Sequence, residues 1–174
     1  MLVERFPWLF EPSLLTITVR TLLAIVCAGI IGFERGSHGS IAGFRTHILV
    51  CLGATLAMAT GQFAAEFYSI DVTRIGAQVV SGIGFLGAGS IIVTRPNHIS
   101  GLTTAAGLWA SACIGLAIGI GFYEAAIVGT AGVYFTEHVL KRVSRKIRDN
   151  ARSQKKGPEQ DPEDPRFDSY DFDE

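Results

Sequence analysis

"RIGAQVVSGIGFLGAGSIIV", Arg74 to Val93, decides what kind of chain this is. Within it, Gly82, Gly84, Gly87 and Gly89 match the glycine spacing of a dinucleotide-binding loop. That reading needs a strand before the glycines, a helix after them and an acidic residue about 20 positions on. Here Thr104 to Leu108, within "TTAAGL", occupy that distance. No charged residue stands between Ile75 and Thr94, and no polar face recurs at helical spacing. An uncharged run of this length reads as a membrane-spanning helix, and its glycines as residues of that helix.

The same measure applies along the chain. Crossing the hydrocarbon core takes roughly 20 mostly apolar residues. Five stretches qualify: Leu14 to Phe33, His47 to Phe67, Ile75 to Val93, Gly101 to Gly121 and Phe122 to Leu140. The last two nearly touch in sequence, which predicts a tight antiparallel pair. The fold class is therefore all-α, a polytopic bundle of five transmembrane helices over 14–140. Of the 174 residues, 48% are hydrophobic and 18% charged, and the mean hydropathy is +0.34. A soluble domain carries more charge. Cys27, Cys51 and Cys113 all sit in apolar runs without metal-site spacing, as buried free thiols do.

Outside the spans, 1–13 reads as an outer interfacial segment anchored by Phe6, Trp8 and Phe10, retained rather than cleaved. The stretch 141–157 is basic and suited to anionic headgroups rather than to nucleic acid. The stretch 158–174 is acidic and proline-bearing, with the composition of a disordered tail. Arg35, Arg45, Arg95 and the cluster Lys141, Arg142, Arg145, Lys146 and Arg148 would lie on one side, Arg5 and Arg74 on the other. By the positive-inside rule the N-terminus is outside and the C-terminus cytoplasmic.

Lipid offers no hydrophobic drive between helices, so small residues that permit close approach matter. In the third span Gly82, Gly89 and Gln78 share one face; Gly84 and Gly87 share the opposite one. Two readings stand: a thin helix packed centrally, or an unwound midplane segment whose freed backbone groups hold an ion. Self-association through the small faces, as a dimer, is also expected.

Two belts of polar residues border the spans. One holds Glu34, Arg35, His38, Arg45, His47, Arg95 and His98; the other holds Arg20, Glu66, Asp71, Arg74 and Glu124. Headgroup contacts and loop-fixing ion pairs account for such belts. Arg20 lies inside its span, where snorkelling or pairing with Glu66 or Asp71 would lower its cost. Glu66, Asp71 and Glu124 form a candidate Mg²⁺ site, since that hard cation takes carboxylate oxygens. "GLTTAAGLW" opens the fourth span. Thr103 and Thr104 can bond to backbone or across to a neighbour, and the Trp109 indole N–H wants a polar or interfacial partner. No catalytic constellation is visible, so the chain reads as a non-enzyme. An ion transporter or channel subunit is the alternative, with Gln78, Ser81 and Thr103 the few polar groups for a route.

Four blocks together resemble the MgtC/SapB family of bacterial inner-membrane proteins. They are "IIGFERG" (Ile30 to Gly36), "GFRTHILVCLGA" (Gly43 to Ala54, including Thr46), "RIGAQVVSGIGFLGAGSI" (Arg74 to Ile91) and "GLTTAAGLWASACIGLAIG" (Gly101 to Gly119). The resemblance implies five membrane helices and a cytoplasmic C-terminus. It also implies links to growth at low magnesium, acid tolerance and survival inside host cells. Members of the MgtC branch are understood to act on other membrane machines, including the F-type ATP synthase, rather than to carry magnesium. The family's charged positions map onto Glu34, Arg35, Arg45, Asp71 and Arg74. The chain departs in having Asp71-Val72 where the family often has Asp-Pro, and a short tail where MgtC-like members carry a folded domain. The tail is closer to the SapB type.

Overall fold

The computed structural model describes residues 13–37, 40–95 and 98–140. The expected segments 1–13, apart from Ser13, and 141–157 and 158–174 lie outside the described residues, as does His38. The chain divides after His138 into two compact units. The helical bundle belongs to the first.

Five helices form: α1 (Leu14–Ser37), α2 (Phe44–Phe67), α3 (Val72–Gly89), α4 (Leu102–Ile120) and α5 (Tyr123–Phe135), the last continuing as a π-helical turn, Thr136–Leu140. Side chains and backbone place their ends. Ser13 receives the Thr16 amide at 3.2 Å and so caps α1. Asp71 caps α3 by accepting from the Thr73 amide at 2.9 Å. At Gly121 the backbone takes φ +88°, and the Gly121 and Phe122 amides donate to Ile118 and Ala117 at 3.0 and 2.8 Å. That glycine closure makes the tight α4–α5 turn the sequence predicts.

α1, α2 and α4 are each long and apolar enough to cross a membrane. α3 has 18 residues, about 27 Å at the usual helical rise. It nonetheless runs the length of the bundle. A Cβ on Gly61 of α2 would meet Ile75 near its start, and one on Gly87 would meet Ala105 of α4 near its end. α5 likewise reaches from Arg20 at one end to Arg35 at the other. The five helices thus traverse one bundle antiparallel to their chain neighbours.

The third span ends earlier than expected, at Gly89 rather than Val93. Ser90 Oγ–H donates to the Gly87 carbonyl at 2.7 Å, and the β-branched run from Ile91 onward leaves the helix. Strands β1 (Ile92–Arg95) and β2 (His98–Ser100) pair antiparallel, Ile92 opposite Ser100 and Val93 opposite Ile99, with an irregularity between Val93 and Arg95. The sequence reading contains no strand there. β2 passes into α4 through Gly101 at φ +94°, where a Cβ would run into the Ser90 carbonyl. Glycine is therefore required at Gly101 both for conformation and for space.

The core is built from small groups. Ala24, Cys27, Ala28 and Ile31 of α1 pack with Cys51 of α2, Ile114 and Ile118 of α4, and Tyr123 and Ala126 of α5. Cys27 and Cys51 are buried free thiols, and Cys113 is free and half-buried. Leu22, Val26, Phe33, Leu49, Phe85, Trp109 and Val128 face outward as the apolar exterior lipid requires.

The hub of the bundle is α4, which packs on each of the other four helices. This corrects the expectation that α3 is central. At Gly115 a Cβ would collide with the Cys51 carbonyl, and at Gly119 it would lie 2.6 Å from the Thr55 carbonyl oxygen. On α3 a Cβ would find neighbours at Gly87, 3.6 Å from Ala105 Cβ, and at Gly76, 3.8 Å from Met58 Sδ. Gly82, Gly84 and Gly89 face open space. α3 is one continuous helix to Gly89, so the unwound ion-binding segment is not formed. Residue size could not distinguish α3 from α4, since both are rich in glycine.

Candidate functional site

A buried polar node lies at the bundle end where α1 finishes and α4 starts. Arg35 Nη2 donates to Ser40 Oγ at 3.3 Å and Thr104 Oγ1 at 3.0 Å, and the two hydroxyls lie 2.9 Å apart. Arg35 Nε faces Glu137 Oε1 at 3.5 Å, with both side chains nearly enclosed. Beside them His138 Nδ1 is 3.0 Å from Glu34 Oε1, and its ring stacks on Tyr134. One guanidinium therefore joins the end of α1, the loop before α2, the first turn of α4 and the π turn after α5. A π turn is a common device at functional sites because it re-aims side chains.

One turn deeper, His47 is fully buried, with Nδ1 at 2.9 Å from Ser111 Oγ. Among the described residues its Nε2 has no hydrogen-bond partner. Gly107 separates this ring from Glu137. A Cβ there would lie 3.2 Å from His47 Cε1 and 3.1 Å from Glu137 Oε1. Gly107 is what allows the imidazole and the carboxylate to share one pocket.

A second node occupies the opposite end. Arg20 is 3% exposed and donates from Nε to Tyr123 Oη at 3.2 Å, and from Nη1 to Gln62 Oε1 at 2.8 Å and the Gly119 carbonyl at 2.6 Å. Far from snorkelling, Arg20 pins α1 to α2, α4 and α5. A cavity of about 330 Å³ lies beside it, lined in part by Thr16, Thr60, Phe63 and Glu66.

The expected residues fall into distinct places. Glu34, Arg35 and Thr104 join the first node, whereas Arg45, Thr46 and Thr103 are exposed. Gln78 and Ser81 are exposed on α3, so they do not line an internal route in one copy. Trp109 is half exposed on the outer face of α4. Among the described residues no three of His, Cys, Asp and Glu come together as a metal set. Glu66, Asp71 and Glu124 accordingly do not form the expected cation site. Asp71 instead caps α3 and faces Arg74 at 3.7 Å, while Glu124 is exposed in the first turn of α5. The Thr73 hydroxyl and amide hold the Asp71 carboxyl below the usual carboxylate range.

The sequence reading missed Glu137, His138 and Ser111. A signal existed for Glu137, because a carboxylate inside an apolar span demands an interior partner. Nothing marked Ser111 among the small residues of α4.

Fold and site together define a polytopic α-helical membrane protein whose ionisable groups are gathered at the two ends of an apolar bundle. The MgtC family model matches residues 21–146, and the chain belongs to that family. It is 44% identical over 135 residues to YhiD of Escherichia coli K12, which is named as a candidate magnesium transporter; the match covers 74% of this chain and 62% of that protein. It is 35% identical over 147 residues to SapB of Bacillus subtilis, covering 80% of this chain and 62% of that protein. It is 42% identical over 120 residues to MgtC of Brucella abortus, covering 68% and 48%. The matched region thus spans about half to three-fifths of these relatives. No solved structure matches the chain.

Proposed function

We propose that this chain is a non-enzymatic regulator in a bacterial inner membrane, linked to magnesium, acid or energy homeostasis through another membrane protein. An ATP synthase is one such partner. The observation that carries the reading is the Arg35 node: a charged group buried at one end of the bundle, tied to the loop before α2, α4 and the π turn at once. Such a node can transmit a change at that end into helix packing. Magnesium enters through the name of the YhiD relative. The excess of Lys and Arg on the Arg35 side supports a cytoplasmic C-terminus.

Self-association, as a dimer, is supported by the α3 face on which Gly82 and Gly89 find no neighbour in a single copy. Transport is the competing reading, favoured by the same YhiD name. Against it, Gln78, Ser81 and Thr103 point outward.

Crosslinking in native membranes at low and normal magnesium, with identification of the captured protein, tests the reading. The expected result is a membrane partner whose yield depends on magnesium and falls in Arg35→Gln. Capture of only this chain under both conditions would refute it.

A further inference from the structure

We propose that the cavity between α1 and α2 holds one phospholipid headgroup and selects a headgroup that carries a primary ammonium. This goes beyond the regulatory role above and stands or falls separately from the identity of any protein partner.

Three observations carry it. The first is the shape of the cavity. Its volume is about 330 Å³, and small-molecule sites usually enclose roughly 300–1,000 Å³. Leu56, Thr60 and Phe63 form its α2 wall and are exposed, so the cavity opens sideways onto the apolar exterior that lipid covers.

The second is a pair of hydrogen-bond donors left for a ligand. Arg20 Nη1 donates to Gln62 Oε1 at 2.8 Å, which fixes the amide with its oxygen toward the guanidinium. The Gln62 Nε2–H₂ group is therefore turned away from Arg20. Gln62 is half-buried and lines the cavity, and its Nε2 has no partner among the described residues. The Thr60 hydroxyl also has none among them. Thr18, Thr130 and Thr136 each donate to the carbonyl four residues back, so a helical threonine here has an intrahelical acceptor available and Thr60 does not use it.

The third is Glu66, which lines the same cavity from the last turn of α2. It is exposed, and no cation pairs with it among the described residues.

The helix sets these groups in order of depth. Glu66 is nearest the end of the bundle, Gln62 lies one turn further in, Thr60 lies beyond that, and Leu56 is about 15 Å below Glu66 at the usual helical rise. An aminophospholipid offers complementary chemistry in the same order. Its ammonium donates to the Glu66 carboxylate at the rim. Its phosphate accepts from Gln62 Nε2, and an ester carbonyl accepts from the Thr60 hydroxyl. One acyl chain then continues along Ile17, Leu56 and Phe63. Arg20 acts through Gln62, by holding the amide in the donating orientation. Glu66 repels a phosphate whose headgroup brings no cation, so the carboxylate makes the site selective.

The test is native mass spectrometry of delipidated protein in detergent micelles, titrated with phosphatidylethanolamine or phosphatidylglycerol of identical acyl chains. The wild type is expected to retain one phosphatidylethanolamine at concentrations where phosphatidylglycerol leaves no comparable adduct. Glu66→Gln should weaken phosphatidylethanolamine about tenfold, the loss of one charge-assisted bond, without weakening phosphatidylglycerol. Thr60→Val should weaken phosphatidylethanolamine by roughly three- to tenfold. Both positions are exposed, so neither substitution threatens the fold. Glu124→Gln removes another exposed carboxylate at the start of α5 and should change nothing. Equal retention of the two lipids by the wild type, equal effects of Glu66→Gln and Glu124→Gln, or unchanged binding in Thr60→Val would overturn the proposal.

Discussion

Replacing Gly115 by alanine tests the packing that holds both polar nodes in place. The added Cβ would strike the Cys51 carbonyl oxygen and lie 2.9 Å from Ala54 Cβ and 3.1 Å from the Cys51 carbonyl carbon. Carbon atoms prefer a separation of about 3.5–4.0 Å. α2 and α4 must therefore part by most of an ångström at this crossing, because the obstruction is backbone and cannot rotate aside. Overpacking of this kind costs about 1–3 kcal/mol, and a backbone obstruction belongs at the upper end. Alanine's better helix propensity returns about 1 kcal/mol. The net loss is about 2 kcal/mol, roughly a thirtyfold fall in the folding equilibrium. The Thr55 bond to the Gly115 carbonyl and the His47–Ser111 bond, one turn away, lie on the same seam and weaken with it. Reversible unfolding in mixed micelles, followed by circular dichroism, reads the difference. Gly82→Ala is the control, since its Cβ would meet nothing within 4 Å, and it should change stability by less than about 0.5 kcal/mol. Equal stability of Gly115→Ala and the wild type, or equal damage by both substitutions, would refute the claim that α4 is the hub.

Arg20→Met removes the donor shared by Gln62, the Gly119 carbonyl and Tyr123 and leaves their oxygens buried. It should cost about 3 kcal/mol in the same unfolding assay. Asp71→Ala should destabilise measurably but less than Gly115→Ala, because it removes only a surface cap of α3. The folded Asp71 pKa is depressed. Its contribution is therefore present above the unfolded-state carboxylate pKa and lost as pH falls through the lower folded value. A stability-versus-pH curve of the wild type minus that of Asp71→Ala should show the loss only on the acid side. Gly101→Ala should prevent α4 from following β2, because φ there is +94° and the Ser90 carbonyl fills the space. Loss of folded protein after extraction is the expected readout.

The five helices were legible because lipid demands long, mostly apolar runs, and α1, α2 and α4 declare themselves by length and composition alone. The partition of glycines was not. Gly82 and Gly115 look alike in sequence, and only the neighbouring backbone shows that one faces open space and the other a carbonyl. The end of α3 was misread for a similar reason. Ile91, Ile92 and Val93 are as apolar as the helix before them, and their β-branched preference asserted itself only where Ser90 had closed the helix. Of the first node, Glu34, Arg35 and Thr104 were chosen from sequence, and His47 was placed in the same belt. Their partners on α4 and the π turn come from helices distant in the chain. The helix phase that brings Glu137 to Arg35 depends on the π turn, which apolar periodicity does not encode. The outer carboxylates illustrate the opposite error, since a shared level in the membrane does not bring side chains together.

Magnesium flux into proteoliposomes containing only this protein tests the regulatory account most directly. A bundle whose polar groups sit in two separated end nodes should give no more magnesium entry than protein-free vesicles. Saturable magnesium uptake by the wild type, lost in Gln78→Ala, would contradict the account and establish the chain as a carrier in its own right.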